Sequence, residues 1–153
     1  EIKSAADLQG LKMRIGGLGG NVLQKMGVVP QQLGAGDVYP GLEKGTIDAA
    51  EFVGPADDEK LGLVKVAPFY HYPAFWEGGA ELTFFLSLPK WNELPKSYRA
   101  VFKSAAMAVG RDMQAKYDVL NPAALKRLMS GRNHANIELG FSVASHRRDH
   151  FGL

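Results

Sequence analysis

The sequence contains no cysteine, which excludes disulfides, thiolate metal ligands and cysteine nucleophiles. It also lacks a strong charge of either sign, because its 18 Lys and Arg residues exceed its 16 Asp and Glu residues by only two. A surface that follows nucleic-acid phosphates needs concentrated positive charge, so nucleic acid is not expected as a partner. No apolar run reaches the length of a membrane span, and no basic-then-apolar leader opens the sequence. For an exported protein, the signal is expected upstream.

The 153 residues do contain enough apolar side chains, 46% of the total, to build one real core. Strands are predicted around residues 12–16, 28–33 and 46–53. Helical patterns at residues 18–26 and 38–44 separate them, the second capped by Asp37. Strands that alternate with short helices favour an α/β fold with a parallel βαβαβ sheet, whose ligands bind beyond the carboxyl ends of the strands.

An arginine meets a glycine-rich run at the end of the first predicted strand. Side chains alternate along a strand, so Met13 and Ile15 share one face while Arg14 points to the other. A guanidinium binds a carboxylate through two parallel hydrogen bonds, and the glycines within residues 16–20 let a ligand approach the backbone. The pattern predicts a binding site for a small organic acid. The alternative from this stretch alone is a solvated strand arginine beside a mobile turn.

The glycine run does not match the common nucleotide-binding loops. A dinucleotide fingerprint beginning at Gly17 needs glycine or alanine where Val22 stands, and the lysine followed by Ser or Thr of a P-loop is missing. Glu51, His71 and Glu77 are residue types of a metal or acid–base site. His71 nevertheless has no second histidine at helical spacing and lies among aromatic residues, which favours a packed loop residue.

Five aromatic residues lie between Pro68 and Gly79, where two prolines and a glycine pair exclude an ordinary helix. Such a loop can plug the end of a sheet or form a wall of a ligand site, and both alternatives stay open. Just upstream, Asp57, Asp58 and Glu59 give a predicted helix an acidic first turn, which we interpret as solvated charge.

The second half of the sequence is predicted to be mainly helical. Residues 82–88 are apolar on both faces and predict a buried strand that Pro89 ends. An amphipathic helix is predicted from residue 96 to about residue 120, and Asn121 is expected to cap another that ends at Gly131. The remaining residues lack a strong apolar period and predict a weakly ordered tail.

Several longer strings resemble a known family. Residues 10–14 and 37–51, which read GLKMR and DVYPGLEKGTIDAAE, are similar to the DctP-type solute-binding proteins of TRAP transporters. Residues 52–62 and 72–79, which read FVGPADDEKLG and YPAFWEGG, resemble the branch that binds 2-oxo acids or related monocarboxylates such as lactate. The resemblance extends from the N-terminus to about Met129.

The resemblance implies a type II periplasmic-binding-protein fold, in which two α/β lobes close on the ligand. Residues 1–80 would form the second, ligand-gripping lobe with its βαβαβ sheet. Residues 81–130 would form a hinge strand and helices that return towards the first lobe, and residues 131–153 an atypical tail. We therefore expect a fragment that lacks the signal peptide and most of the first lobe.

The resemblance also implies roles for individual residues. Arg14 would grip the substrate carboxylate, and Glu51, Phe52 and Trp76 would line the cleft. The carboxylate of Glu77 and the backbone carbonyl of Trp76 would hold a sodium or calcium ion that bridges to the ligand, since hard cations prefer oxygen donors. No organic cofactor is expected.

The implied function is capture of a pyruvate- or lactate-like monocarboxylate in the periplasm for TRAP transport, not catalysis. The implied partners are the organic acid anion, the membrane subunits of the transporter and a second copy in a homodimer of the full-length parent. One alternative is an α/β enzyme acting on a carboxylated or phosphorylated substrate, with the glycine run as anion cradle and Glu51 or Glu77 as general base. Another is a structural fragment without a function of its own, because half a cleft lacks the contacts of the other lobe.

Overall fold

The computed structural model describes residues 1–74 and 82–130. Its sheet has three parallel strands in the order β2-β1-β3, with Lys12 opposite Val29 and Met13 opposite Ala49. The strands are β1 (Lys12–Arg14), β2 (Val29–Gln31) and β3 (Ala49–Ala50). The predicted βαβαβ sheet is confirmed, although each strand is shorter than its apolar pattern suggested. The arginine strand β1 lies in the centre of the sheet.

Two nine-residue helices connect the strands, α1 (Gly17–Lys25) and α2 (Ala35–Glu43). Helix α1 begins directly after the arginine strand and packs close to it, since a Cβ at Gly20 would lie 3.3 Å from the Ile15 carbonyl oxygen. The chain leaves α1 at Gly27, whose φ of 100° favours glycine. Helix α2 begins two residues before the predicted cap. Asp37 therefore lies in its first turn, and Gly34 takes the N-cap position.

The alternation along β1 places its apolar residues in the core. Met13 and Ile15 are buried, whereas Lys12 and Arg14 on the opposite face are only half-buried. Two apolar clusters form the core, one containing Leu8, Met13, Ile15, Leu23 and Val28, the other Val38, Leu42, Ile47 and Leu63. Half-buried Phe52 packs against the second cluster, and so does Ala50, which pairs with Arg14 in the sheet. The predicted facing of the strand is confirmed.

The rest of the described chain is mostly helical. Helix α3 (Pro55–Lys60) follows β3 and leads through a 3₁₀ turn (Leu63–Lys65) into residues 67–74, which have no regular structure. The remaining helices are α4 (Leu88–Glu93) and α5 (Lys96–Ser130). Within the described residues, no helix is both long enough and apolar enough to cross a membrane.

The predicted break at Asn121 is wrong, because α5 continues through Pro122 as one 35-residue helix. Proline removes one helical hydrogen bond, but the turns after it are held by burial of Ala124 and Leu128. The side chain of Asn121 serves another purpose, since its Oδ1 accepts a hydrogen bond from the Ala56 amide at 3.0 Å. It therefore satisfies an amide at the start of α3 instead of starting a new helix.

The predicted buried strand at residues 82–88 is also wrong. Residues 82–87 are exposed and irregular, Phe85 being 91% exposed, and Pro89 lies in the first turn of α4 instead of ending a strand. A strand that is apolar on both faces needs layers on both sides. No such layers cover these residues in the described part of the chain. An apolar run specifies burial only when a neighbour is present to cover it.

Candidate functional site

The guanidinium of Arg14 lies at the carboxyl end of the central strand, where it bridges the two neighbouring chain segments. Its Nη1 donates to the Glu51 carbonyl oxygen at 2.7 Å and to Glu51 Oε2 at 3.1 Å. Its Nε donates to the Leu33 carbonyl oxygen at 3.3 Å. The structure thus brings together two of the predicted site residues, Arg14 and Glu51, and adds the Leu33 carbonyl, which no side-chain pattern could indicate.

The burial of Arg14 distinguishes between the two interpretations of its side chain, which are a binding group for an organic acid and a solvated strand arginine. It is 23% exposed, and the Glu51 side chain is 17% exposed. A solvated strand arginine would be far more exposed and would lack these three hydrogen bonds, so that alternative is wrong. Within the described residues, Nη2 of Arg14 makes no hydrogen bond. An anion can therefore be bound by Nη2 and the second hydrogen of Nη1 without displacing the contacts that hold the arginine.

Phe52 completes the immediate surroundings of the arginine. The Arg14 Cζ atom lies 5.7 Å from the centroid of the Phe52 ring, within the range of a cation–π contact. Phe52 follows Glu51 directly and is half-buried against the second apolar cluster. The aromatic ring restricts the guanidinium on one side, and the two backbone carbonyls restrict its near edge. Phe52, another predicted cleft residue, is therefore also beside Arg14.

The glycine run forms the first turns of α1 and is not a mobile turn. Gly16 is the N-cap, and Gly19 and Gly20 are buried against the sheet. Gly17 is exposed, has a φ of 58°, and a Cβ there would meet no atom within 4 Å. The backbone at this turn is thus open to approach.

The acidic turn of α3 is not simply solvated charge, contrary to the prediction. Asp58 is only 9% exposed, and its Oδ2 accepts a hydrogen bond from the Tyr70 hydroxyl at 2.7 Å. Burial raises the pKa of the Asp58 carboxyl, although the Tyr70 hydroxyl and nearby backbone amides act against this shift. Burial, followed by the adjoining Asp58 carboxylate, raises the pKa of Tyr70.

The two neighbours of Asp58 also have partners, on helix α5. Asp57 accepts a hydrogen bond from the Tyr117 hydroxyl at 2.6 Å. Glu59 binds Arg127 through two hydrogen bonds of 2.7 and 2.6 Å. Local sequence could not indicate these contacts, because both partners lie on a helix far along the chain.

His71 lies within the same irregular segment as Tyr70 and is a packed loop residue, as predicted. It is half-buried, and burial lowers the pKa of its imidazole. Its Nδ1 is buried and has no hydrogen-bond partner among the residues that the structure describes. Since burial favours the neutral form, His71 does not supply positive charge to the site near neutral pH.

The two residues predicted to hold a cation, Trp76 and Glu77, lie outside the described residues. Across residues 1–74 and 82–130, no group of three or more His, Asp or Glu side chains is placed to hold a metal ion. Glu51 and His71, considered as members of a metal or acid–base site, do not form such a group there.

Comparison with known proteins identifies the family. Residues 1–139 match the sequence profile of DctP, described as bacterial extracellular solute-binding protein, family 7. A Nostoc protein named monocarboxylate 2-oxoacid-binding periplasmic protein is 53% identical over 131 residues, which cover 86% of this chain and 36% of the relative.

Solved structures agree with this family. A TRAP transporter solute-binding protein from Bordetella bronchiseptica is 54% identical with a TM-score of 0.82, covers 89% of this chain, and is described as a mixed-occupancy dimer with calcium and picolinate. One from Pseudoalteromonas atlantica, with bound sodium and pyruvate, is 36% identical with a TM-score of 0.80 and covers 90% of this chain.

The chain spans 40% and 42% of these two solved proteins, so it corresponds to part of their length. The matched family is described as one of bacterial extracellular solute-binding proteins. The α/β fold, with its parallel sheet and following helices, agrees with this family. The sequence match over most of the chain agrees with it as well. The chain belongs to the DctP family of bacterial extracellular solute-binding proteins.

Proposed function

We propose that this chain is the carboxylate-gripping part of a periplasmic protein that captures a small 2-oxo or 2-hydroxy monocarboxylate for a TRAP transporter. The observation that carries the proposal is the Arg14 guanidinium at the carboxyl end of the central strand, held by Glu51 and the Leu33 carbonyl with Nη2 available. The name of the Nostoc relative and the picolinate and pyruvate of the solved relatives support this ligand class.

The contacts of Arg14 prepare it for binding. A flexible arginine would lose rotamer freedom when it bound the ligand, whereas here three hydrogen bonds have already restricted it. The ligand carboxylate is bound by the outer edge of the guanidinium, and Phe52 packs over its face. Glu51 thus orients the arginine and lines the same end of the sheet.

The Glu51 carboxylate has an electrostatic consequence for the ligand. Its charge offsets that of Arg14 at a distance of 3.1 Å, so the pair alone offers little net attraction to an anion. A bound cation would restore that attraction and would bind the 2-oxo or 2-hydroxy oxygen of the acid. A metal-assisted site would meet this requirement.

The donors proposed for this cation are the Glu77 carboxylate and the Trp76 backbone carbonyl. Both are hard oxygen donors suited to sodium or calcium. Two donors are fewer than the roughly six to eight oxygens that calcium takes, so the ligand and atoms outside this chain would supply the rest. Trp76 would also line the cleft with its ring.

We propose that residues 1–80 form the ligand-gripping lobe and that residues 81–130 connect to a first lobe, with residues 131–153 as a separate tail. A partner lobe would cover the exposed end of the sheet and exclude water from the ligand, which strengthens the arginine–carboxylate contact. The transporter's membrane subunits and a second copy are the proposed macromolecular partners. The dimer of the Bordetella relative supports the latter.

Calorimetry tests the proposed function. The natural protein that carries this sequence is titrated with pyruvate, lactate and picolinate in calcium, in sodium and in chelator. Pyruvamide, which lacks the carboxylate, and acetate, which lacks the 2-oxo group, are the controls. We expect binding of the 2-substituted acids that depends on the cation, and little or none of the controls. The absence of heat for every 2-substituted acid in both cations would overturn the proposal.

A further inference from the structure

The irregular segment of residues 67–74, which we call the aromatic segment, is fastened to helix α3 by one buried polar contact. The Tyr70 hydroxyl donates to Asp58 Oδ2 at 2.7 Å, and Asp58 is 9% exposed. Since Asp58 lies one turn into the helix that follows β3, this bond joins the aromatic segment to the end of the sheet that carries Glu51 and Phe52.

A cavity of about 60 Å³ separates the aromatic segment from the strand end. Phe69, Tyr70 and Asp58 form part of its wall, and Phe52 forms another part. Phe52 is the ring that lies over the Arg14 guanidinium, 5.7 Å from ring centroid to Cζ. Tyr70 therefore lines the same cavity as the ring that contacts the arginine.

The Asp58 carboxyl is costly in this position. Its Oδ1 is buried and has no hydrogen-bond partner within the described residues. A buried, incompletely satisfied carboxyl costs free energy, so stability alone would favour an apolar residue of similar size. The other oxygen, Oδ2, accepts the Tyr70 hydrogen bond beside the cleft residues, and this bond is the contact of Asp58 that could serve the site.

We propose that Asp58 is a positioning residue for the carboxylate site. Its bond to Tyr70 holds the aromatic segment in place as one wall of the cavity that Phe52 also lines, so that Phe52 stays packed over Arg14 and the guanidinium keeps its direction towards the ligand. Asp58 does not touch the ligand. This proposal rests on the proposed function.

The chain contains a matched control. Asp57, the preceding residue on the same helix, accepts a hydrogen bond from the Tyr117 hydroxyl at 2.6 Å, but this contact faces α5 and not the strand end. Tyr70→Phe and Tyr117→Phe each remove a tyrosine hydroxyl that donates to an aspartate of α3. Only the first should affect the carboxylate site.

Titration of pyruvate in calcium into the natural protein and both variants tests the proposal, at a temperature where all remain folded. We expect Tyr70→Phe to weaken binding roughly 3- to 10-fold, the order that follows from losing one ordinary hydrogen bond. Tyr117→Phe should bind like the wild type even where its melting temperature falls. Equal affinities for all three proteins, or an equal loss in both variants, would overturn the positioning role.

Substitutions at Asp58 provide a second test that does not depend on Tyr70→Phe folding. Asp58→Asn keeps an oxygen acceptor for Tyr70 and should bind pyruvate within about twofold of wild type, whereas Asp58→Ala should lose as much as Tyr70→Phe. A loss in Asp58→Asn as large as in Asp58→Ala would contradict a role through this hydrogen bond. If the wild-type protein fails to bind any monocarboxylate, the proposed function falls and this proposal with it. If it binds and the variants bind equally, only the positioning role falls.

Discussion

Arg14 and Glu51 contact each other through backbone and side chain at once. One guanidinium nitrogen donates to the Glu51 carbonyl oxygen at 2.7 Å and to its Oε2 at 3.1 Å, while the Glu51 amide donates to the Arg14 carbonyl oxygen at 2.9 Å. The pairing of two parallel segments therefore decides where the guanidinium lies. Positions set by sheet register are more precise than positions set by a loop, which suits a site that must recognise a planar carboxylate.

Arg14→Lys replaces a planar guanidinium, which can donate two parallel hydrogen bonds, with an ammonium group that acts as a point charge. We expect pyruvate affinity to fall by about 1.5 to 3 kcal/mol, more than roughly tenfold, as for the loss of hydrogen bonds to a charged group. The melting temperature should also fall, because the lysine cannot bridge both the Leu33 and Glu51 carbonyls. Calorimetry and thermal unfolding measure the two effects.

Arg127→Lys is the control for that substitution, since Arg127 binds the Glu59 carboxylate of α3 through two parallel hydrogen bonds. It should leave pyruvate affinity unchanged. If Arg14→Lys bound pyruvate as tightly as the wild type does, Arg14 would not belong to the binding site.

Glu77→Gln should reduce calcium affinity by more than about tenfold, because even residues that merely support metal ligands are typically worth 10- to 100-fold. Pyruvate affinity should fall with it, since a bridging cation and its ligand strengthen each other reciprocally. Calcium titrations with and without pyruvate measure both effects. Glu93→Gln, at an exposed position paired with Lys90, is the control. Unchanged calcium binding in Glu77→Gln would place the cation elsewhere.

Asp58→Asn should change the pH dependence of stability. Burial raises the pKa of the folded carboxyl above its unfolded value, so with rising pH the unfolded state loses its proton first. The contribution of this carboxyl to the free energy of unfolding of the wild type is therefore fully present below the unfolded pKa. It is lost as the pH rises through the folded pKa. The melting temperature of Asp58→Asn relative to wild type should increase from pH 3 to pH 7. A difference that stays constant or decreases would show that Asp58 is not disfavoured in its charged form.

Gly41→Ala should destabilise the lobe. A Cβ at residue 41 would lie 3.2 Å from Ile47 Cγ1 and 3.4 Å from Leu33 Cδ1, so the core must shift to admit it. Overpacking of this kind costs about 1–3 kcal/mol, partly offset by the helix preference of alanine. Gly36→Ala in the same helix meets no atom within 4 Å and should instead be neutral or stabilising by up to about 1 kcal/mol. Urea unfolding of both variants measures the difference, and equal effects would contradict the close packing at residue 41.

Much of the sheet could be predicted from the sequence because its signals are local. The alternation of Met13, Arg14 and Ile15 places one side chain opposite the other two whatever else the chain does. The order of strand and helix patterns similarly specifies a parallel sheet. The family strings around residues 37–62 were recognisable for the same reason, since they are contiguous.

The errors arose where contacts come from distant residues. Asn121 has the local features of a helix cap, but its partner is the Ala56 amide, 65 residues away. Residues 82–88 have the local features of a buried strand, but in the described chain they stay exposed, although the Phe84 ring contacts Phe102 edge to face. The roles of Trp76 and Glu77 remain predictions.

The sequence by itself determined the strand on which Arg14 lies, the face to which it points and the family to which the chain belongs. Only the tertiary structure decided what holds that arginine, because Leu33 and Glu51 lie 19 and 37 residues away and their carbonyls carry no sequence signal. It also decided that Asp58 is buried under Tyr70 while Glu59 stays near the surface on Arg127. Hydrophobic periodicity is a property of neighbouring residues, whereas burial of a charge depends on which distant segment packs over it.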